Sequence, residues 1–233
     1  MKRLWLIQAV GNALLFWCAF TWLGIRDSRG WQLAETAVFG VVIAALWLWL
    51  QNGTFVYCGN RPLGLWKAFH TSLKTLAVFA AVVIAFVVMV WALGRLEDPL
   101  MRAGQRTTSW LTFHLRKPVK PTTWAQSYLA ILWGVRWIVL PALVLPIAAA
   151  AARRGWHGMW RRGPRVFWLE YLIMLVLGFY LPVVLVGWVP KLTGTAPQVL
   201  SFVLRMGVAY GLVITAWLAT AFFACSSMNS DIS

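Results

Sequence analysis

Apolar residues run in unbroken blocks at 4–25, 33–50, 76–94, 129–151, 167–189 and 199–225, separated by stretches rich in Lys and Arg. Each block is close to the ~20 residues that a helix rising ~1.5 Å per residue needs to cross ~30 Å of hydrocarbon. The apolar positions are continuous rather than alternating, and lipid forces a spanning segment to satisfy its backbone hydrogen bonds internally. Helices are therefore expected and a β-barrel is not. The pattern predicts an all-α fold in which residues 1–233 form one polytopic membrane helix bundle of about six transmembrane helices. The first block follows Met1-Lys2-Arg3, but it exceeds the roughly 7–15 apolar residues of a signal peptide and reads as a retained helix.

Two connecting segments carry patterns of their own. After Pro62, Trp66, Phe69, Leu73 and Leu76 recur at helical spacing beside a basic stripe of Lys67, His70 and Lys74, which predicts an amphipathic piece lying in the interface. Residues 95–128 are long for a loop in a compact bundle. They hold Trp110, Leu111, Phe113 and Leu115 among Arg102, Arg106 and Arg116. A second, partly interfacial segment is expected there, its periodicity ambiguous between helix and strand.

Composition narrows the chemistry. Hydrophobic residues make up 61% of the chain and charged ones 12%, about half the charge of a soluble domain. Lys and Arg number 21 against six acidic residues, a net charge of +15. Basic loops beside membrane helices attract anionic lipid headgroups, so membrane lipid is the expected partner and nucleic acid is not. A membrane-protein partner or a homo-oligomer also fits a bundle of this kind. Paired-carboxylate chemistry has little to work with, because the one adjacent acidic pair, Glu97-Asp98, reads as a solvated loop. Cys18, Cys58 and Cys225 form no Cys-x-x-Cys, and His70, His114 and His157 show no metal-ligand spacing, so neither a metal nor a cofactor is expected. Lys and Arg are nearly balanced between the two sides. Lys2-Arg3 and the short run of Arg153, Arg154, Arg161, Arg162 and Arg165 favour cytoplasmic N- and C-termini in a bacterial inner membrane.

Charges inside hydrocarbon cost on the order of 3 kcal/mol and are functional candidates by default. Counted along straight helices, Arg136 lies ~10 Å and Arg205 ~8 Å from one membrane face, with Glu35 near that face. The three are candidates for a cationic ligand- or lipid-binding pocket with an internal counter-ion, against the plainer reading of snorkelling side chains. Glu170 lies ~5 Å inside the opposite face. There Gln8, Asn12, Thr215 and Thr220 reach similar depths, a candidate polar seam through the bundle. Gly207 and Gly211 form a Gly-x-x-x-Gly that suits close helix packing, within the chain or between copies. Pro141, Pro146 and Pro182 interrupt two spans and predict kinks.

No P-loop, His-Glu-x-x-His or Gly-x-Ser-x-Gly is present. The sequence therefore points to a non-catalytic multi-pass protein, permease-like or an accessory scaffold subunit contacting anionic lipid. The alternative is a lipid-acting enzyme that holds a phosphate headgroup. Depth counts against that alternative, since it separates Glu170 from the arginines.

Overall fold

A computed structural model describes residues 2–25, 29–116, 120, 122–156, 168–190 and 193–226. Every element among them is helical: α1 (Lys2–Leu23), α2 (Gly30–Gly59), α3 (Leu65–Ser72), α4 (Leu76–Gly94), α5 (Glu97–Leu115), α6 (Thr123–Gly134), α7 (Leu140–Arg154), α8 (Trp168–Leu175), α9 (Leu181–Gly187) and α10 (Thr195–Ser226). Single π-turns at Val135–Val139 and Val176–Tyr180 join α6 to α7 and α8 to α9. Six stretches among the described residues are long and apolar enough to cross a membrane, so the chain is an all-α bundle of the multi-pass membrane type. His157, Arg161, Arg162, Arg165 and the first residue of the predicted fifth span lie outside the described residues.

The spans alternate in direction, so the start of α1, the end of α2, the start of α4 and the ends of α7 and α10 meet at one end of the bundle. The buried residues gather there. They include Leu4 and Gln8 of α1, Leu50 to Val56 of α2, Phe79 of α4, Ala148 to Ala152 of α7 and Ala221 to Cys225 of α10. Alanines on α7 and α10 leave space for close helix approach, the usual device where lipid removes the hydrophobic drive between helices. Polar ties reinforce this end. Thr75 donates to the Ala152 carbonyl at 2.8 Å, and the Asn52 amide donates to the Ser72 carbonyl at 2.7 Å. At the opposite end the helices present Phe16, Leu23, Val41, Val87 and Val203 outward, the apolar coat that a bilayer covers.

Three expectations about boundaries change. The second span was expected to end at Leu50, before Gln51-Asn52, yet α2 continues to Gly59 and those residues are buried. It continues because their amides find partners inside the protein and because Gly53 leaves room for Phe69 of α3, whose ring would lie 2.5 Å from a Cβ there. The segment after Pro62 is helical, as its spacing predicts, but Phe69 is buried against α2 while Trp66, Leu73, Lys67, His70 and Lys74 are exposed. Residues 97–115 are helix, not strand, and α5 turns straight on from α4 to pack antiparallel along α6. Gly104 makes this possible, since a Cβ there would lie 2.5 Å from the Ala125 Cα. Thr107 and the Tyr128 hydroxyl meet at 3.3 Å farther along. Together α4–α5 and α6–α7 form one long antiparallel hairpin.

The kinks follow from proline chemistry. Pro141 has no N–H, so the Trp137 carbonyl four residues earlier loses its helical donor. The chain widens to a π-turn, with the Leu140 N–H bonding the Val135 carbonyl, and the Tyr171 hydroxyl donates to the freed Trp137 carbonyl at 3.0 Å. Pro182 repeats the arrangement in the next span, where the Leu181 N–H bonds the Val176 carbonyl.

Candidate functional site

At the packed end lies a half-open cavity of about 530 Å³ to which all six spans contribute. That volume is in the range of small-molecule sites. Its walls are apolar: Phe55 of α2, Phe79 and Val83 of α4, Pro141, Val144 and Leu145 of α7, Leu175 and Gly178 of the kinked α8–α9 rod, and Ile214 and Trp217 of α10. Both π-turn prolines therefore act at the cavity, Pro141 as a wall and Pro182 by widening the helix around Gly178. Gly178 is required by proximity, since a Cβ there would fall 2.7 Å from the Ala216 Cβ.

One side of the cavity is polar. Asn12 and Gln51 line it, and with Gln8 they close a ring of three side-chain amides. The Asn12 Nδ2 donates to the Gln8 Oε1 at 2.6 Å, the Gln8 Nε2 to the Gln51 Oε1 at 3.5 Å, and the Gln51 Nε2 to the Asn12 Oδ1 at 3.3 Å. Gln8 also donates to the Thr54 hydroxyl and to the Leu50 carbonyl. Each amide satisfies the next, which is how such groups persist where water does not reach. Tyr210 lines the same space and its hydroxyl donates to the Ala9 carbonyl at 2.5 Å. Among the described residues of the lining there is no Asp, Glu, Lys, Arg, His or Cys.

The predicted site residues divide among several places. Arg136 pairs with Glu97 at 2.8 Å rather than with Glu35, and its guanidinium lies 5.2 Å from the Trp137 ring centroid. The reason is the continuation of α4 into α5 alongside α6–α7, which sets Glu97 opposite Arg136; the expected solvated loop is the first turn of a helix. Arg205 donates to the Val186 carbonyl at 3.0 Å and to the Trp188 carbonyl. It thus closes the C-terminal end of α9, where carbonyls lack helical donors. Glu35 is exposed on α2. The two arginines and Glu35 are not brought together.

The predicted polar seam also separates. Gln8 and Asn12 belong to the amide ring, and Thr220 lines the cavity while bonding the Ala216 carbonyl of its own helix. Thr215 accepts from the Trp5 indole at 3.1 Å, outside the ring. Glu170 is exposed in the first turn of α8 and joins no hydrogen bond or ion pair among the described residues. Its neighbour Tyr171 reaches the residue after Arg136, so counting residues along straight rods overstates the separation of α8 from mid-α6–α7. Gly207 faces open space and Gly211 meets only the Trp5 ring at 4.0 Å. Glycines that do admit close contact within the chain include Gly53, Gly104 and Gly178, and Gly59 against the Arg153 side chain.

The residues that sequence reading missed are Gln51, Thr54, Tyr171 and Trp217. A signal for the first two existed, since Gln51 and Thr54 are three apart on one helical face and match Gln8 and Asn12 in kind. Among the described residues no group of three or more His, Cys, Asp or Glu side chains is placed to hold a metal ion. Comparison of the chain with protein-family models, with curated proteins and with solved structures finds no match, so its own geometry carries the functional reading.

Proposed function

We propose that this protein is a non-catalytic, permease-like membrane component whose central cavity holds a neutral, largely apolar molecule. The observation that carries the reading is a six-span cavity whose walls are hydrocarbon and whose polar side consists only of amides and hydroxyls. General acid-base or nucleophilic catalysis needs a titrating or activated group at the substrate; among the described lining residues there is no carboxylate, imidazole, amine or thiol, and the Tyr171 and Tyr210 hydroxyls donate to backbone carbonyls. The alternative of a lipid-acting enzyme loses support for a second reason. Arg136 and Arg205, its phosphate ligands, are engaged with Glu97 and with the end of α9.

Anionic lipid headgroups remain the proposed partners of the basic surface, with Arg102, Arg106 and Arg116 exposed on α5 and beyond. The proposed setting is a bacterial inner membrane with cytoplasmic termini. The cavity reading is tested by binding of a pyrene-labelled alkane to the protein in nanodiscs. Wild type is expected to show saturable binding, Val144→Trp to weaken it at least about tenfold by filling the space, and Val203→Trp, on the outer face, to leave it unchanged. Non-saturable partitioning identical in all three overturns the reading.

A further inference from the structure

The cavity carries more information than its volume, because its polar side has donors left over. Gln51 uses one amide hydrogen on the Asn12 Oδ1, and its other amide hydrogen has no acceptor among the described residues. Trp217 also lines the cavity, and its indole N–H is buried with no hydrogen-bond partner. A buried donor without an acceptor calls for an explanation, and a missing ligand atom is one. The two residues sit on adjoining parts of the cavity wall. Trp217 stacks edge-on against Phe55 with ring centroids 5.7 Å apart, and Phe55 lies one helical turn beyond Gln51 on α2.

The side-chain oxygens, by contrast, each already take part in a hydrogen bond. The Asn12, Gln8 and Gln51 side-chain oxygens each receive a donor within the ring, and the Tyr171 and Tyr210 hydroxyls donate to backbone carbonyls. The cavity therefore offers hydrogens, not charges. A phosphate or carboxylate would enter without a counter-ion and lose its hydration, which low-dielectric surroundings do not repay. An uncharged oxygen with two lone pairs suits two N–H groups.

Building on the cavity reading above, we infer that the ligand is a neutral lipid bearing an uncharged carbonyl oxygen, seated so that this oxygen accepts from the Gln51 amide and the Trp217 indole while its hydrocarbon fills the Phe79, Val83 and Val144 side. Membranes supply that chemistry in two forms, the ester carbonyl of a glyceride and the ring carbonyl of an isoprenoid quinone.

The experiment uses the full chain in nanodiscs with three probes: a pyrene-labelled alkane, dioleoylglycerol and a short-chain isoprenoid quinone. Wild type is expected to bind at least one carbonyl probe about tenfold more tightly than the alkane, and which probe gains identifies the source. Trp217→Phe keeps the ring and removes the N–H. It is expected to erase most of that advantage, weakening the carbonyl probe several-fold more than the alkane; Gln51→Met, and Gln51→Leu if it folds, should act in the same direction. Equal affinity for alkane and carbonyl probes overturns the inference and leaves the cavity reading standing. So does a Trp217→Phe loss shared equally by the alkane, which marks a packing effect. If no probe, the alkane included, binds saturably, it is the cavity reading itself that fails.

Discussion

Gln8, Asn12 and Gln51 satisfy one another in the buried end of the bundle, whereas Arg136 meets Glu97 at a rim where their side chains are 23% and 53% exposed. The two polar contacts should respond differently to deletion. Gln8→Leu strands the Asn12 and Thr54 groups that now bond to it, and leaving buried partners unmet costs about 1–3 kcal/mol. Glu97→Gln weakens a partly solvated ion pair, which contributes no more than about 1 kcal/mol. Titration with a denaturing detergent, followed by helical circular dichroism, should rank Gln8→Leu as the more destabilising. The opposite order would mean that the ring does not hold α1 to α2.

At the scale of elements, the α5–α6 contact rests on one small residue. Gly104→Val places a branched side chain where even a Cβ meets the Ala125 backbone, so the helices must part. Spin labels at positions 107 and 128 should report a wider separation in that variant. Gly207→Val, at a site open to its surroundings, should leave the same distance unchanged.

The six spans themselves were legible because lipid-facing helices need continuous apolar runs, and such runs have no competing reading at this length. The ends of the elements were less so. Gln51 and Asn52 are polar enough to end a span by composition, and only the tertiary contacts with Gln8, Asn12 and Ser72 show why the helix passes through them. The prolines announced kinks. The π-turns they produce, and the Tyr171 hydroxyl that meets the freed carbonyl, depend on a neighbouring span that no local pattern encodes. The cationic pair had the same blind spot, since the side-by-side packing of α4–α5 along α6–α7 that sets Glu97 against Arg136 is a long-range event.

For the whole molecule, the alternation of six spans brings Leu4 and Cys225 into one packed core, so residues near both termini lie on one side. Cysteines introduced at Lys2 and at Ser226 should label with an impermeant maleimide from the same side of sealed vesicles. Labelling from opposite sides would require an odd number of crossings and would break the architecture. On the proposed cytoplasmic orientation of the termini, both should react only in inverted vesicles.

If the cavity carries a passenger as proposed, the absence of any acidic or basic side chain among its described lining residues has an energetic consequence. Moving one elementary charge through a membrane potential is worth about 2.3 kcal/mol per 100 mV. A neutral passenger in a neutral chamber moves none, so voltage neither drives its entry nor opposes its release. Occupancy then follows the passenger's concentration in the surrounding leaflets, and the resting potential of the cell is invisible to the step.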